Sequence, residues 1–192
     1  ALKVARTIKW PDKKARALSS IASALAQIGR FDEALEVART IKEPEEKAKA
    51  LSSIALTMAR ASQTEEAMAI LEETLGTVRA IKLAWDKAPA LATLAVAALA
   101  LVQVDRIQEA QGKLEQALAI ARQIEWSWQK AHALVTLAEI LARFGHTDEG
   151  QAVLEEALTT AREIEWPWEK APALAAAART LAQVGRVQEA QA

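Results

Sequence analysis

Few side chains in this sequence are of types that perform chemistry. The two histidines, His132 and His146, stand apart. Neither lies in HExxH or ExxH, the spacings that place metal ligands on one helix face for zinc or a di-iron centre. Acidic pairs occur at Glu65-Glu66, Glu72-Glu73 and Glu155-Glu156. Each falls in a helical pattern beside basic residues, which reads as a solvated face rather than as a general acid and base. A Gly-rich phosphate loop and a G-x-S-x-G nucleophile turn are both missing from the sequence. With no cysteine, disulfides, thiolate metal sites and thiol nucleophiles are excluded. No catalytic, metal or cofactor constellation is complete, so the sequence predicts a non-enzymatic protein that needs no cofactor.

What remains is six tryptophans and a set of charges, and their positions are governed by a repeat. IKWPDKKARAL, IKEPEEKAKAL, IKLAWDKAPAL, IEWSWQKAHAL and IEWPWEKAPAL begin at Ile8, Ile41, Ile81, Ile124 and Ile164, at steps of 33, 40, 43 and 40 residues. Recurrence at such periods marks an array of supersecondary units that bury their apolar faces on one another. In the first unit Leu18, Ile21, Ala22, Leu25 and Ile28 form a helical stripe, so a helix A is predicted over 11–28. Pro11 suits its first turn, and Gly29 supplies a left-handed stop. Asp32 and Glu33 favour the positive end of a helix B, which runs to about Ile41. Equivalent turns fall at Ser62, Asp105, Gly145 and Gly185, and a left-handed backbone would suit Ser62 least. The first length increment, seven residues, lies within helix B and adds about two turns, so the apolar face keeps its direction. The further three residues fall near Val96 to Ala98. Units then read 1–8 (partial), 9–41, 42–81, 82–124, 125–164 and 165–192 (partial), as one repeat domain. Both ends read as cut from a longer array.

LSSIASALAQIGRFDEAL resembles the tetratricopeptide repeat (TPR) signature, with Leu18, Ile21, Ala22, Leu25, Gly29, Phe31 and Ala34 in register and Pro44 near the terminal Pro. The pattern's first Trp is Leu here and its Tyr is Leu or Met. The longer units are more similar to the TPR-like repeats of about 40 residues found in kinesin light chains and in superhelical domains of large bacterial regulators. The resemblance implies an all-α fold, a right-handed superhelical solenoid of stacked antiparallel helix hairpins. It also implies protein–protein recognition, with a peptide or partner helix in the concave groove.

Columns that recur in every unit make the stack, and columns that vary are free to read a partner. Ala22, Ala55, Ala95, Ala138 and Ala178 form a packing column. Arg6, Arg39, Arg79, Arg122 and Arg162 suit the end of helix B and, with the Glu33 and Lys14 columns, inter-repeat ion pairs. Trp10, Trp126 and Trp166 follow the recurring Ile by two residues, and Trp85, Trp128 and Trp168 by four. Their repetition favours wedges between hairpins over an exposed docking row. By the resemblance, the groove-facing positions are Arg16, Ser19 and Ser23, then Lys49, Ser52, Leu56 and Arg60, then His132, Val135, Glu139 and Arg143. The Ser19 and Ser23 columns lack the Lys and Asn of carboxylate-clamping TPR domains, which argues against that ligand.

Partners follow from the same features. A protein or peptide is expected. Because pentatricopeptide repeats share the GR-x-DEA turn, RNA binding is the alternative. Against it, 24 basic and 25 acidic residues give a net charge of −1 and no basic footprint for nucleic acid. A spacer role, with self-association through uncapped ends, is the third reading. No stretch of 18 apolar residues is free of charge and no signal segment opens the chain, so a cytoplasmic protein without a membrane partner is expected.

Overall fold

The computed structural model describes residues 1–82, 87, 89–91, 93–95, 97, 107–143 and 147–183. Among them are nine complete helices and no strand. They are α1 (Leu2–Arg6), α2 (Pro11–Gln27), α3 (Phe31–Arg39), α4 (Pro44–Arg60), α5 (Thr64–Ala80), α6 (Ile107–Arg122), α7 (Ser127–Arg143), α8 (Thr147–Arg162) and α9 (Pro167–Gln183). The fold is an all-α solenoid of helix hairpins. None of the described helices is long and apolar enough to cross a membrane. The chain forms two compact units, Ala1–Lys113 and Leu114–Ala192.

Local rules set the helix ends. Pro11, Pro44 and Pro167 open α2, α4 and α9, where a missing N–H costs nothing. The residue before proline is held extended, as at Trp10 (φ −83°, ψ 117°) and Glu43 (φ −73°, ψ 113°). At the other end, Gly29 has φ 78° and Ser62 has φ 64°. Each sits in the same pair of closing bonds. The N–H groups of Gly29 and Arg30 donate to the carbonyls of Ala26 and Leu25, and those of Ser62 and Gln63 to Ala59 and Met58. This double closure satisfies carbonyls that the helix end would leave open, and it explains why serine tolerates a left-handed backbone there. The turns at Asp105, Gly145 and Gly185 lie outside the described residues, as does the insertion near Val96 to Ala98. The other insertion is plain: α3 has 9 residues, whereas α5, α6 and α8 have 17, 16 and 16.

Both units repeat one packing pattern. In Ala1–Lys113, α2 packs on α1, α3 and α4, and α4 packs on α3 and α5. In Leu114–Ala192, α7, α8 and α9 pack on one another. Thus α2 and α7 each meet their own helix B and the next helix A, and α4 meets its own helix B. The core is Ala and Leu, with Leu51, Ile54, Leu71, Leu75, Leu134, Leu137 and Leu154 among the fully buried side chains. Burying each contributes roughly 1.5–3 kcal/mol. The recurring isoleucines Ile41, Ile81, Ile124 and Ile164 are buried at 3% exposure apiece.

The small residues set how close the helices come. Ala22, Ala55, Ala95 and Ala138 are buried, and so are Ala34, Ala67 and Ala110 on the facing helices. Gly150 occupies that facing column in α8. A Cβ there would stand 3.0 Å from the Ala138 carbonyl oxygen and 3.1 Å from the Ala142 nitrogen, so backbone touches backbone. Helical Gly76 and Gly112 have nothing within 4 Å of such a Cβ.

These positions separate by thermal or urea unfolding. Gly150→Val destabilises by about 1–3 kcal/mol through overpacking. Gly76→Ala and Gly112→Ala each stabilise by about 0.5–1 kcal/mol. Ser62→Gly relieves the left-handed backbone and stabilises by about 0.5–1 kcal/mol, glycine's own entropy offsetting part of the gain.

Candidate functional site

The groove positions read from the sequence divide by burial. On α2, Arg16 is exposed and lies 3.9 Å from Glu46, Ser19 is buried and Ser23 is half-buried. On α4, Ser52 is buried, and its Oγ has no hydrogen-bond partner among the described residues. Leu56 is half-buried and Arg60 exposed. Lys49 is half-buried, and its ammonium donates to the carboxylates of Glu45 and Glu46. Burial works against its charge, but these two bonds outweigh it and raise its pKa above the ordinary lysine value. On α7, His132 is exposed, Val135 buried and Glu139 half-buried. The side chain of Arg143 lies outside the described residues. Ser19, Ser52 and Val135 therefore belong to the packed interior, while Arg16, Arg60 and His132 reach solvent.

Two members of the Arg column form ion pairs between successive B helices, whereas Glu33 pairs with Arg30 of its own turn and, among the described residues, not with a neighbouring repeat. Arg39 at the end of α3 grips Glu73 of α5, at 2.8 Å through Nη2 and 3.2–3.3 Å through Nε. Arg122 of α6 repeats the same fork on Glu156 of α8, at 2.8 and 3.1 Å. Each guanidinium pKa is raised, chiefly by the hydrogen bond to its glutamate. Lys113, nearly buried, donates to Glu72 at 2.6 Å. The acidic pairs of helix B thus supply bridging carboxylates, which the solvated-face reading missed. The bridging glutamates Glu73 and Glu156 lie eight residues before the recurring Ile. Only a count taken back from the helix end reveals that column.

The tryptophans depart most from expectation. Trp10, Trp126, Trp166 and Trp168 are 70%, 58%, 55% and 67% exposed, so the wedge reading fails for all four. Trp128 alone packs inward, against the cluster of Ala131, Ala161, Ile164 and Ala173. Trp85 lies outside the described residues. The cause is local. The carbonyls of Trp10, Trp126 and Trp166 accept the first helical bonds, from the N–H groups of Lys14, Lys130 and Lys170 at 2.9–3.0 Å. All three tryptophans therefore stand at the N-cap, ahead of the helix, where the side chain projects from the turn. Ser, Thr, Asp or Asn would satisfy an open N–H there, and indole carries no acceptor.

In Leu114–Ala192 these residues assemble a site. Trp166 stacks on Trp168, with ring centroids 4.9 Å apart and planes 25° apart. Trp168 then walls a mostly apolar cleft of about 350 Å³ with Trp128, His132, Glu169, Pro172 and Ala173. Of the groove positions read from the sequence, His132 lines this cleft. The Trp168, Glu169 and Pro172 side of it was not among the positions read from the sequence; the tryptophan directly before Pro167 is Trp166, which reaches the cleft only through its stack on Trp168. Among the described residues, no group of three His, Asp or Glu could hold a metal ion.

The helix hairpins, their packing order and the closing turns define a TPR-like helical repeat. Solved structures carry the same fold. The chain is similar to Ton1535 from Thermococcus onnurineus NA1, with TM-score 0.66 and 23% identity over 88% of this chain. It spans about half of that protein, 47% of its length. BtubC (BKLC) from P. vanneervenii matches with TM-score 0.50 and 18% identity, over 99% of this chain and 82% of that one. The TPR-like repeats of a Podosopora anserina putative kinesin light chain match with TM-score 0.49 and 22% identity, over 96% and 92%. No protein-family model matches the sequence, and no curated protein matches it.

A double-mutant cycle tests the inter-helix bridge. Arg122→Gln and Glu156→Gln, singly and together, give a coupling of about 0.2–1 kcal/mol in urea unfolding, since both groups are partly exposed. The coupling shrinks between low and 1 M salt.

Proposed function

We propose that the chain is a non-enzymatic scaffold that binds a peptide or partner helix, with the tryptophan cleft of Leu114–Ala192 as a principal docking point. One observation carries this reading. Trp126, Trp166 and Trp168 are more than half exposed, and Trp126 and Trp166 occupy N-cap positions that indole cannot cap. A residue that breaks a local rule without a packing gain points to function. Tryptophan is also the side chain most enriched among the residues that dominate binding at interfaces. The mostly apolar cleft walled by Trp128 and Trp168 offers a pocket of the size that anchors one or two side chains. The TPR-like fold supports the same reading, because its stacked hairpins present an extended surface that suits a polypeptide. Within Leu114–Ala192, His132 extends the proposed contact surface along α7, with Glu139 at its half-buried margin.

Selection of a displayed random-peptide library on the whole chain supplies a ligand for the test. Trp168→Ala then weakens the selected peptide by roughly tenfold or more, while far-UV circular dichroism stays unchanged because the side chain is exposed. Unchanged affinity removes the cleft as the docking point. Failure to enrich any peptide, with steeply salt-dependent binding of RNA instead, overturns the protein-recognition reading.

A further inference from the structure

The cleft between α7 and α9 is built from groups that attract a positive charge. Trp128 and Trp168 offer indole rings, whose faces are electron-rich. The Trp166 stack holds the Trp168 ring. Glu169 adds a carboxylate to the wall. Pro172 lies inside α9 and has no N–H, so it cannot donate to the carbonyl of Trp168 four residues earlier. Of the six wall residues, only His132 is of a type that becomes cationic.

The surrounding charge agrees with the wall. The exposed residue after each recurring Ile is Lys9, Lys42 and Lys82 in Ala1–Lys113, but Glu125 and Glu165 in Leu114–Ala192. Leu114–Ala192 holds 11 acidic and 7 basic residues, a formal −4, against 14 acidic and 17 basic in Ala1–Lys113, a formal +3. The sign changes with the two copies that carry paired tryptophans.

From these observations we infer that the cleft takes a cationic side chain, arginine above all, from an extended segment of a protein partner. The inference rests on the docking reading and specifies its ligand. A guanidinium lies flat on an indole face while its edge donates to a carboxylate, and this cleft places both acceptors in one wall. A proline-rich segment would use the rings and leave Glu169 unused. A nucleic-acid base would stack but bring its phosphate to an acidic surface.

The test titrates the full chain with acetyl-Gly-Arg-Gly-Arg-Gly-amide and with its citrulline twin, which keeps the shape and loses the charge. Indole N–H resonances of the 15N-labelled protein report binding at each tryptophan. The arginine peptide is expected to move the Trp128 and Trp168 signals and to bind about tenfold more tightly than the citrulline peptide. Glu169→Gln weakens it several-fold, Trp168→Ala removes the response, and added salt weakens it in the wild type. Equal affinity of the two peptides overturns the cation assignment and leaves docking at the cleft standing. A response at the same indoles to a proline-rich peptide alone does likewise. A response to oligouridine alone overturns both readings. Silence towards all four probes overturns the cation assignment, and the library selection then judges the docking reading independently.

Discussion

Close approach of helix backbones is the constraint on which the rest of this structure depends. Ala22, Ala55, Ala95 and Ala138 in one recurring column and Ala34, Ala67 and Ala110 in another are essentially inaccessible, and Gly150, the fourth member of the second column, lies against Ala138. With side chains this small, main-chain atoms set the distance between α7 and α8, since a Cβ at Gly150 would stand only 3.0 Å from the Ala138 carbonyl oxygen. Protein interiors pack too densely to absorb even one extra methylene without strain. A repeat that keeps this column therefore keeps its hairpin geometry while other positions drift. The buried isoleucines close each hairpin onto the next, and the seven-residue lengthening of helix B is tolerated because it preserves the direction of the apolar face.

That geometry also distributes the charges. Arg39–Glu73 and Arg122–Glu156 recur with the same fork and the same separation of 34 residues, because in both places a lengthened helix B extends beside the end of the preceding one. Such partly exposed bridges contribute little net stability. Their value is in register: a two-pronged guanidinium pair is satisfied in only one alignment of neighbouring helices. Lys49, tied to Glu45 and Glu46, is similarly absorbed into the structure, which leaves less of the variable A-helix face for a partner than its composition implied.

The tryptophan site arises where the repeat's structural demands end. At the described turns from helix B into helix A, the recurring Ile is followed two residues later by the N-cap of the next helix, ahead of its first turn. Unit Leu114–Ala192 fills that position with indole twice, and adds a second indole in the first helical turn. Stacking of Trp166 on Trp168 limits the rotamer freedom of two exposed side chains within the protein itself.

The described helices, their ends and the turns at Gly29 and Ser62 were legible in the sequence because each depends on neighbours a few residues away. An apolar period, a proline at the first helical position and a left-handed stop at Gly29 are local facts, and even the unfavourable φ of Ser62 could be foreseen from its place in the repeat. Burial was not legible in the same way. Ser19, Ser52 and Val135 look like a variable, surface-facing column, yet lie within the packing. Trp166 and Trp168 look like core residues, yet stand in solvent. The sequence by itself determined the repeat unit and the all-α fold. The tertiary structure alone decided which side chains stay exposed, because exposure depends on how far each side chain lies from helices 30 to 40 residues away along the chain.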